Sequence, residues 1–450
     1  MFSLSVTISP IVVVLLAVAP AWAQQMDVSP EKPRIITQQT IDDLIARLAA
    51  HEARIKELEE KLARQNSEGA QRPMSVASSA QPPVTMAASP AAMQAIAPEP
   101  KPPDETDEHD HMMNLPGGGP ALKLRGFLDF NLGFGKDANP LIFPLNAPVH
   151  NTFQAGEFDL FISSKLSDTL SFFSEITIGA DGTNEFGVDI ERMQLTYRPS
   201  QYFEISGGRY HTAIGYYNTA FHHGTWFQTT TGRPFMYFFE DSGGILPVHS
   251  VGVTATGLVP GTGQLGLHWV AEVGNGRSSS PTAEPVQNFL SDKNRKDFNL
   301  AAYIKPQWVP GLQVGGSFFR DRMVPPGIPH VNQNIASLYA VYTNSDWEFL
   351  NEGVWLSNKL DGQDKSYNTP LVYTQISRKF GRYRPYLRYQ YVNVPSADPI
   401  NIFTGRYDGP SAGLRMDYTN YAALKIQYNR LYQRIVAPAN GLDLQVAFTF

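Results

Sequence analysis

Along the last nine residues, Leu442 to Phe450, apolar and polar side chains alternate: Leu442, Leu444, Val446, Phe448 and Phe450 take one parity, Asp443, Gln445, Ala447 and Thr449 the other. Successive strand residues face opposite sides of a sheet, so this parity predicts one oily face and one wet face. From Ala121 onward the chain breaks into segments of about eight to eleven residues with the same habit, the length a tilted strand needs to cross a bilayer. About sixteen segments begin near Leu122, Phe153, Leu170, Val188, Phe203, His249, Gln264, Asp297, Leu312, Ile335, Trp347, Pro370, Arg384, Ala412, Ala422 and Leu442. Alternation is clearest in Leu424, Ile426 and Tyr428 against Lys425, Gln427 and Asn429. It is poor over Trp347 to Trp355 and Phe203 to Tyr210, where a bulge or a shifted boundary is expected.

The connections fall into two sizes. Short ones include Ser167-Asp168-Thr169, Pro199-Ser200-Gln201, Asn344-Ser345-Asp346, Gly381-Arg382 and Thr419-Asn420. Long ones include Gly135 to Asn151, His211 to Pro247, Asn275 to Lys296, Asp321 to Asn334 and Pro395 to Pro410. Short turns at one end and long loops at the other, with Tyr197, Tyr202, Tyr342, Trp347, Tyr418 and Tyr421 flanking the turns, predict an all-β, transmembrane antiparallel β-barrel over 121–450 with aromatic girdles. An even strand count returns both barrel ends to the periplasmic side.

A different period governs the N-terminal part. Ile41, Leu44, Leu48, His51, Ile55, Leu58 and Leu62 recur at spacings of three and four, which puts Arg47, Arg54 and Lys61 at g and Glu52 and Glu59 at e. This predicts a short α-helical coiled coil over 41–66, stable only as an oligomer, since about three heptads of isolated helix are marginal. The run Arg54 to Glu59, with Arg at g and Glu at e around apolar a and d, favours three strands. His51 reads as a polar register-setter, with a pH sensor as the sharper alternative. Before it, the apolar run Ile11 to Ala19 and Ala21-Trp22-Ala23 predict a cleaved signal peptide over 1–23, followed by a segment 24–40. Residues 67–120 are rich in Ala, Pro and Ser and read as a disordered linker ending in an acidic tether. His109 and His111 in that tether read as solvated, and no metal site is assigned.

Charge separates the same regions. The formal net charge is −6, and all of it lies between Gln24 and Pro120, with 15 acids and 9 bases, while Ala121 onward holds 27 of each. A neutral barrel has no basic footprint, which excludes nucleic acid as a partner. Cysteine is absent, so no disulfide can help hold an exported chain.

The closing strand with its final Phe450 resembles that of bacterial outer-membrane barrels, whose terminal aromatic is read by the assembly machinery. The longest connection, His211 to Pro247, follows the fifth strand, the place of the loop that narrows the lumen of trimeric porins. GGRYHTAIGYYN, Gly207 to Asn218, resembles the equivalent passage of the phosphate-selective porin O and P family and of related trimeric porins with an N-terminal periplasmic coiled coil. The resemblance covers Leu122 to Phe450 in architecture. His211 stands in place of a Lys, and Tyr216 and Tyr217 in place of Pro-Phe, so it does not imply phosphate selectivity.

The resemblance implies a Gram-negative outer-membrane porin, a homotrimer in outer-membrane lipid, passing small hydrophilic solutes or ions passively. The constriction loop then offers His211, His222, His223, Arg233, Glu240 and Asp241, and the wet parity offers Arg125, Asp129, Glu157, Asp159, Arg384, Arg388, Arg415, Asp417 and Lys425 as pore lining. Arg384, Arg388 and Arg415 on neighbouring strands would form a basic track for anions; a mutually neutralised lining that only keeps the lumen wet is the plainer reading. His222-His223 lacks a third ligand, and no cofactor is implied. A barrel hydrolase would need a G-x-S-x-G or an outward Ser-His pair, and neither is found, so no enzyme is expected. A TonB-dependent transporter needs more strands and a plug than the chain can supply. The other reading is a structural or adhesive barrel whose coiled coil grips a cell-wall or periplasmic partner. If the heptads hold the assembly together, deleting Ile41 to Gln65 lowers the mass in detergent from that of three chains; an unchanged mass removes the coiled coil from that role.

Overall fold

The computed structural model describes residues 112–113, 120–135, 151–180, 185–221, 224–240, 244–277, 289–325, 327–401, 404–434 and 438–450. The predicted signal peptide, the coiled coil with His51, and the tether with His109 and His111 lie outside the described residues, as do His222, His223 and Asp241.

The elements are a stub β1 (Met112–Met113) and sixteen longer strands, β2 (Leu122–Gly135), β3 (Thr152–Lys165), β4 (Leu170–Ala180), β5 (Phe186–Ser200), β6 (Phe203–His211), β7 (His249–Leu258), β8 (Leu267–Gly274), β9 (Asp297–Ile304), β10 (Leu312–Met323), β11 (Val331–Thr343), β12 (Trp347–Leu360), β13 (Ser366–Arg378), β14 (Tyr383–Asn393), β15 (Arg406–Asp417), β16 (Ala422–Gln433) and β17 (Ala439–Thr449). From β2 to β17 each strand pairs with its sequence neighbours, and β17 pairs back onto β2 from Gly441↔Gly135 to Thr449↔Phe127, so the sheet closes into an antiparallel barrel of sixteen strands. Phe450 completes the seam by exchanging two backbone bonds with Gly126, at 2.8 and 3.0 Å. β1 pairs with β2 at Lys123 and Leu122, beyond the end of that seam. Closure removes the unpaired edges an open sheet would carry.

The parity of the closing strand sets inside and outside. Asp443, Gln445, Ala447 and Thr449 are buried toward the lumen, whereas Val446 on the other parity is exposed. The same outward face carries Phe153, Leu195, Leu338, Leu387, Ile426 and Tyr428, all exposed. A contiguous apolar belt of this kind calls for a non-aqueous surround.

All sixteen predicted segments correspond to strands, and boundaries drift where the sequence loses contrast. β15 begins at Arg406, not Ala412; β11 at Val331, not Ile335; β13 at Ser366, not Pro370. Most of the missed residues, Asn332 to Asn334 among them, are polar on both parities, yet the ladder continues through them. For the same reason Asp321 belongs to β10 and not to a loop. Loop lengths segregate less cleanly than predicted, because 181–185, 361–365 and 434–438 at the long-loop end are short.

The irregularity expected over Trp347 to Trp355 is absent: β12 pairs without a register shift on both sides. The irregularity expected over Phe203 to Tyr210 lies on the neighbouring strand instead: β5 carries an extra residue between Tyr197 and Ser200, while β6 pairs with β7 without a shift and shows only Gly208 at φ 135°. Further shifts lie at Leu128/Phe130, where Gly156 and Glu157 together oppose Asp129, and at Glu175/Ile176, where Glu191 is the extra residue. A Cβ on Gly208 would lie 1.9 Å from the Met193 carbonyl oxygen. Gly208→Ala is therefore expected to cost about 1–3 kcal/mol, through steric overlap and the positive φ; urea unfolding in detergent micelles checks it, and an unchanged midpoint contradicts it.

Candidate functional site

The segment 212–248 joins β6 to β7, and its described residues lie in the interior of the barrel. Its apolar residues explain the direction. Ile214, Tyr217, Met236, Tyr237, Ile245 and Leu246 are buried against inward side chains of β10 to β14, including Phe319, Ile335, Leu350, Val354, Leu371, Tyr373 and Val392. Burying each such side chain contributes about 1.5–3 kcal/mol. This accounts for β12: its inward parity is Glu348, Leu350, Glu352, Val354 and Leu356, a wall that meets protein where a wet lumen face was predicted.

A peptide laid inside a barrel cannot join the ladder, so its N–H and C=O groups need other partners. Carboxylates take the donors. Glu352 accepts from the backbone N–H of Tyr216 at 2.6 Å and Tyr217 at 2.9 Å, and from the hydroxyls of Tyr237 at 2.7 Å and Tyr373 at 2.5 Å. Glu272 accepts from the Ala213 N–H at 3.0 Å, Glu348 from the Thr229 hydroxyl at 3.0 Å, and Asp443 from the Thr231 hydroxyl at 3.2 Å.

Cations take the carbonyls. Lys425 Nζ donates to Thr225 O at 2.5 Å and Thr230 O at 2.9 Å, and Arg415 Nη1 to Trp226 O at 2.7 Å and Gln228 O at 2.9 Å. Arg388 Nη1 donates to Gly232 O at 2.9 Å, its Nη2 to the Thr230 hydroxyl, and Gln445 Nε2 to Thr231 O at 3.0 Å. Arg415 is the direct register partner of both Arg384 and Lys425. Like charges opposed across strands are destabilising, and the loop carbonyls together with Asp417, 2.7 Å from Arg415 Nε, offset that repulsion.

The predicted lining residues all lie on the inner wall but in different settings. Arg388, Arg415 and Lys425 are buried under the loop, so their donors face peptide carbonyls and form no open track. Arg384 stands apart near the short-turn end, donating to Ser377 Oγ at 3.2 Å and Ser345 O at 3.3 Å. Arg125 is exposed, with Nε 3.2 Å from Thr449 Oγ1 and its guanidinium 5.1 Å from the Phe127 ring centre. Asp129 is buried and bonded by Asn131, Glu157 is half-buried in the β3 bulge, and Asp159 is fully buried beneath Gly224.

His211, assigned to the loop from sequence, is the last residue of β6 and pairs with His249 in the ladder; its Nδ1 lies 3.0 Å from Asn218 O on the loop, and its ring stands 4.8 Å from that of His249. Glu240 accepts from the His249 N–H at 2.9 Å and faces its Nδ1 at 3.1 Å. Arg233 Nε donates to Tyr237 O at 2.8 Å, and its guanidinium lies 3.8 Å from the centre of the Phe239 ring. Burial lowers the Arg233 pKa and pushes the Tyr217 phenol up to about 12, so that hydroxyl stays neutral. Among the described residues no group of three His, Cys, Asp or Glu side chains could hold a metal.

Glu272, Glu348, Glu352, Gln390, Gln427 and Gln445 were not singled out from sequence, although each holds the loop. The signal available was two acids, Glu348 and Glu352, sharing one parity with Leu350, Val354 and Leu356. Carboxylates on an otherwise apolar face need nearby donors.

No family model matches the chain, and no curated protein matches it. Solved structures do. The outer membrane channel DcaP of Acinetobacter baumannii is similar at TM-score 0.54 and 10% identity, covering 74% of this chain and 98% of that one. The anion-selective porin from Comamonas acidovorans is similar at TM-score 0.51 and 12% identity, covering 74% and 100%. Salmonella typhi OmpF, in a complex with daunomycin, is similar at TM-score 0.51 and 13% identity, covering 75% and 100%. At these identities the likeness is one of fold: this chain shares the porin barrel.

Glu352→Gln converts one acceptor oxygen, which takes two of the four hydrogen bonds, into an amide donor that faces those two donors. It is expected to cost about 2–4 kcal/mol and to make the segment 212–248 cleavable by added protease in micelles. A variant as resistant and as stable as the parent contradicts the anchoring role.

Proposed function

We propose that the chain forms an outer-membrane channel for passive diffusion of small hydrophilic solutes or ions, performing no chemistry. The observation that carries this reading is a closed barrel, apolar outside, whose longest loop is folded inward and bound to the wall by charged side chains. Such a loop narrows the passage to a fixed width. The fold shared with three channel proteins supports the same reading. The short-turn end faces the periplasm, as in bacterial barrels with short periplasmic turns. A homotrimer is proposed on the heptads of Ile41 to Leu62 and their g–e charge pattern.

The ions a pore prefers follow from charge left uncompensated in the lumen. Arg388 and Arg415 are engaged by the loop, while Arg125 and Arg384 have no carboxylate within ion-pair distance among the described residues. These two are assigned the larger part in anion preference. In planar bilayers the protein is expected to give stepwise conductance, and Arg125→Ala with Arg384→Ala to move the reversal potential in a salt gradient toward cations. Silent membranes after verified insertion overturn the channel; an unmoved potential overturns the role of the two arginines.

A further inference from the structure

The outer wall changes character at the long-loop end of β14 to β17. Along β16 the outward parity reads Leu424, Ile426, Tyr428, Arg430 and Tyr432, in steps of about 6.8 Å, with Arg434 just past the strand's end, so hydrocarbon gives way to tyrosine and then to arginine. On β15 the same parity passes from Leu414 to Asp408 and Arg406, and the register Asp408↔Tyr432 sets the two columns side by side. A recess of about 310 Å³ opens there, lined by Arg406, Asp408, Tyr432, Gln433 and Arg434.

The charges do not cancel. Asp408 accepts from Arg406 Nε at 2.8 Å and from the Tyr389 hydroxyl at 3.2 Å, which neutralises one arginine. Arg430 Nε donates to the Tyr432 hydroxyl at 2.7 Å and its Nη1 to Asn440 Oδ1 at 3.1 Å; Arg434 Nη2 donates to Asn393 Oδ1 at 2.5 Å. Neither has a carboxylate partner among the described residues. Both are held by neutral acceptors, which orient a guanidinium without consuming its charge. A guanidinium is strongly disfavoured at mid-bilayer height on a lipid-facing wall and tolerated at the interface. Two oriented guanidiniums directly above an aliphatic and tyrosine column suit an anion at headgroup height.

The geometry points to a site for a phosphorylated lipid headgroup, with Arg430 and Arg434 as the phosphate donors and the recess beside Tyr432 as its seat. The outward parity selects a lipid over a solute: the column below these residues faces acyl chains, and the lumen lies on the other side of the sheet. This assignment rests on the membrane reading above.

The test uses the full chain in phosphatidylcholine vesicles, with or without diphosphoryl lipid A, beside the double variant Arg430→Gln, Arg434→Gln. Lipid A retained through detergent exchange is counted by mass spectrometry, and conductance is recorded in the same lipids. The variant should conduct as the parent does, since both residues lie outside the lumen, and retain lipid A on the order of tenfold less well. Equal retention overturns the site while leaving the channel standing. Inorganic phosphate that displaces the lipid from the parent at matched phosphate concentration overturns the lipid assignment. A chain that inserts into neither vesicle overturns the membrane reading and this site with it.

Discussion

Peptide groups enclosed by a barrel must find partners outside the strand ladder, and that demand organises the interior of this protein. The segment 212–248 meets it with side chains of the wall: Glu352, Glu272, Gln427 and Gln390 for its N–H groups, Lys425, Arg415, Arg388 and Gln445 for its carbonyls. Charged partners make stronger bonds to neutral peptide groups than other peptides do. A buried charge left without them is strongly destabilising. Loop and wall therefore require each other, because the wall's cations are tolerable only where carbonyls cover them and the carbonyls are tolerable only where cations reach them.

Packing and polarity divide the work. Against β10 to β14 the loop buries an apolar cluster around Tyr217, Tyr237 and Leu350, which gives adhesion without direction. The hydrogen bonds set the register. Gly215, at φ 80°, brings the chain so close that a Cβ there would lie 2.4 Å from Glu352 Oε2. Only glycine lets the backbone N–H groups of Tyr216 and Tyr217 turn onto that carboxylate.

How much of this was legible in the sequence follows from what each residue faces. Strands such as β16 and β17, with lipid on one face and polar groups on the other, announce themselves by parity, and their even count places both ends of the barrel on one side. β12 did not: its lumen face meets the loop, so Leu350 and Val354 are inward while Asn351 and Ser357 face out, and the contrast disappears. Arg388, Arg415 and Lys425 were identified as inward, but parity says only which side a residue takes. That they meet Gly232, Trp226 and Thr225 across the interior depends on contacts separated by 156 to 200 residues, which no local pattern encodes. The wall acids that hold the loop, Glu348 and Glu352 of β12 among them, were overlooked because polar groups on an apolar face look like noise until their donors are located.

The central claim is that the segment 212–248 is fixed against the inner wall by these bonds, and the absence of native cysteine allows it to be probed without background. Thr231 and Gln445 are joined by a bond of 3.0 Å from the Gln445 side chain to the Thr231 carbonyl. With cysteine at both positions, a short thiol-to-thiol cross-linker applied to the folded, membrane-inserted protein should join them in nearly every molecule before any denaturant is added. Two thiols that remain unlinked in the folded barrel, each free to take a separate label, would contradict the account.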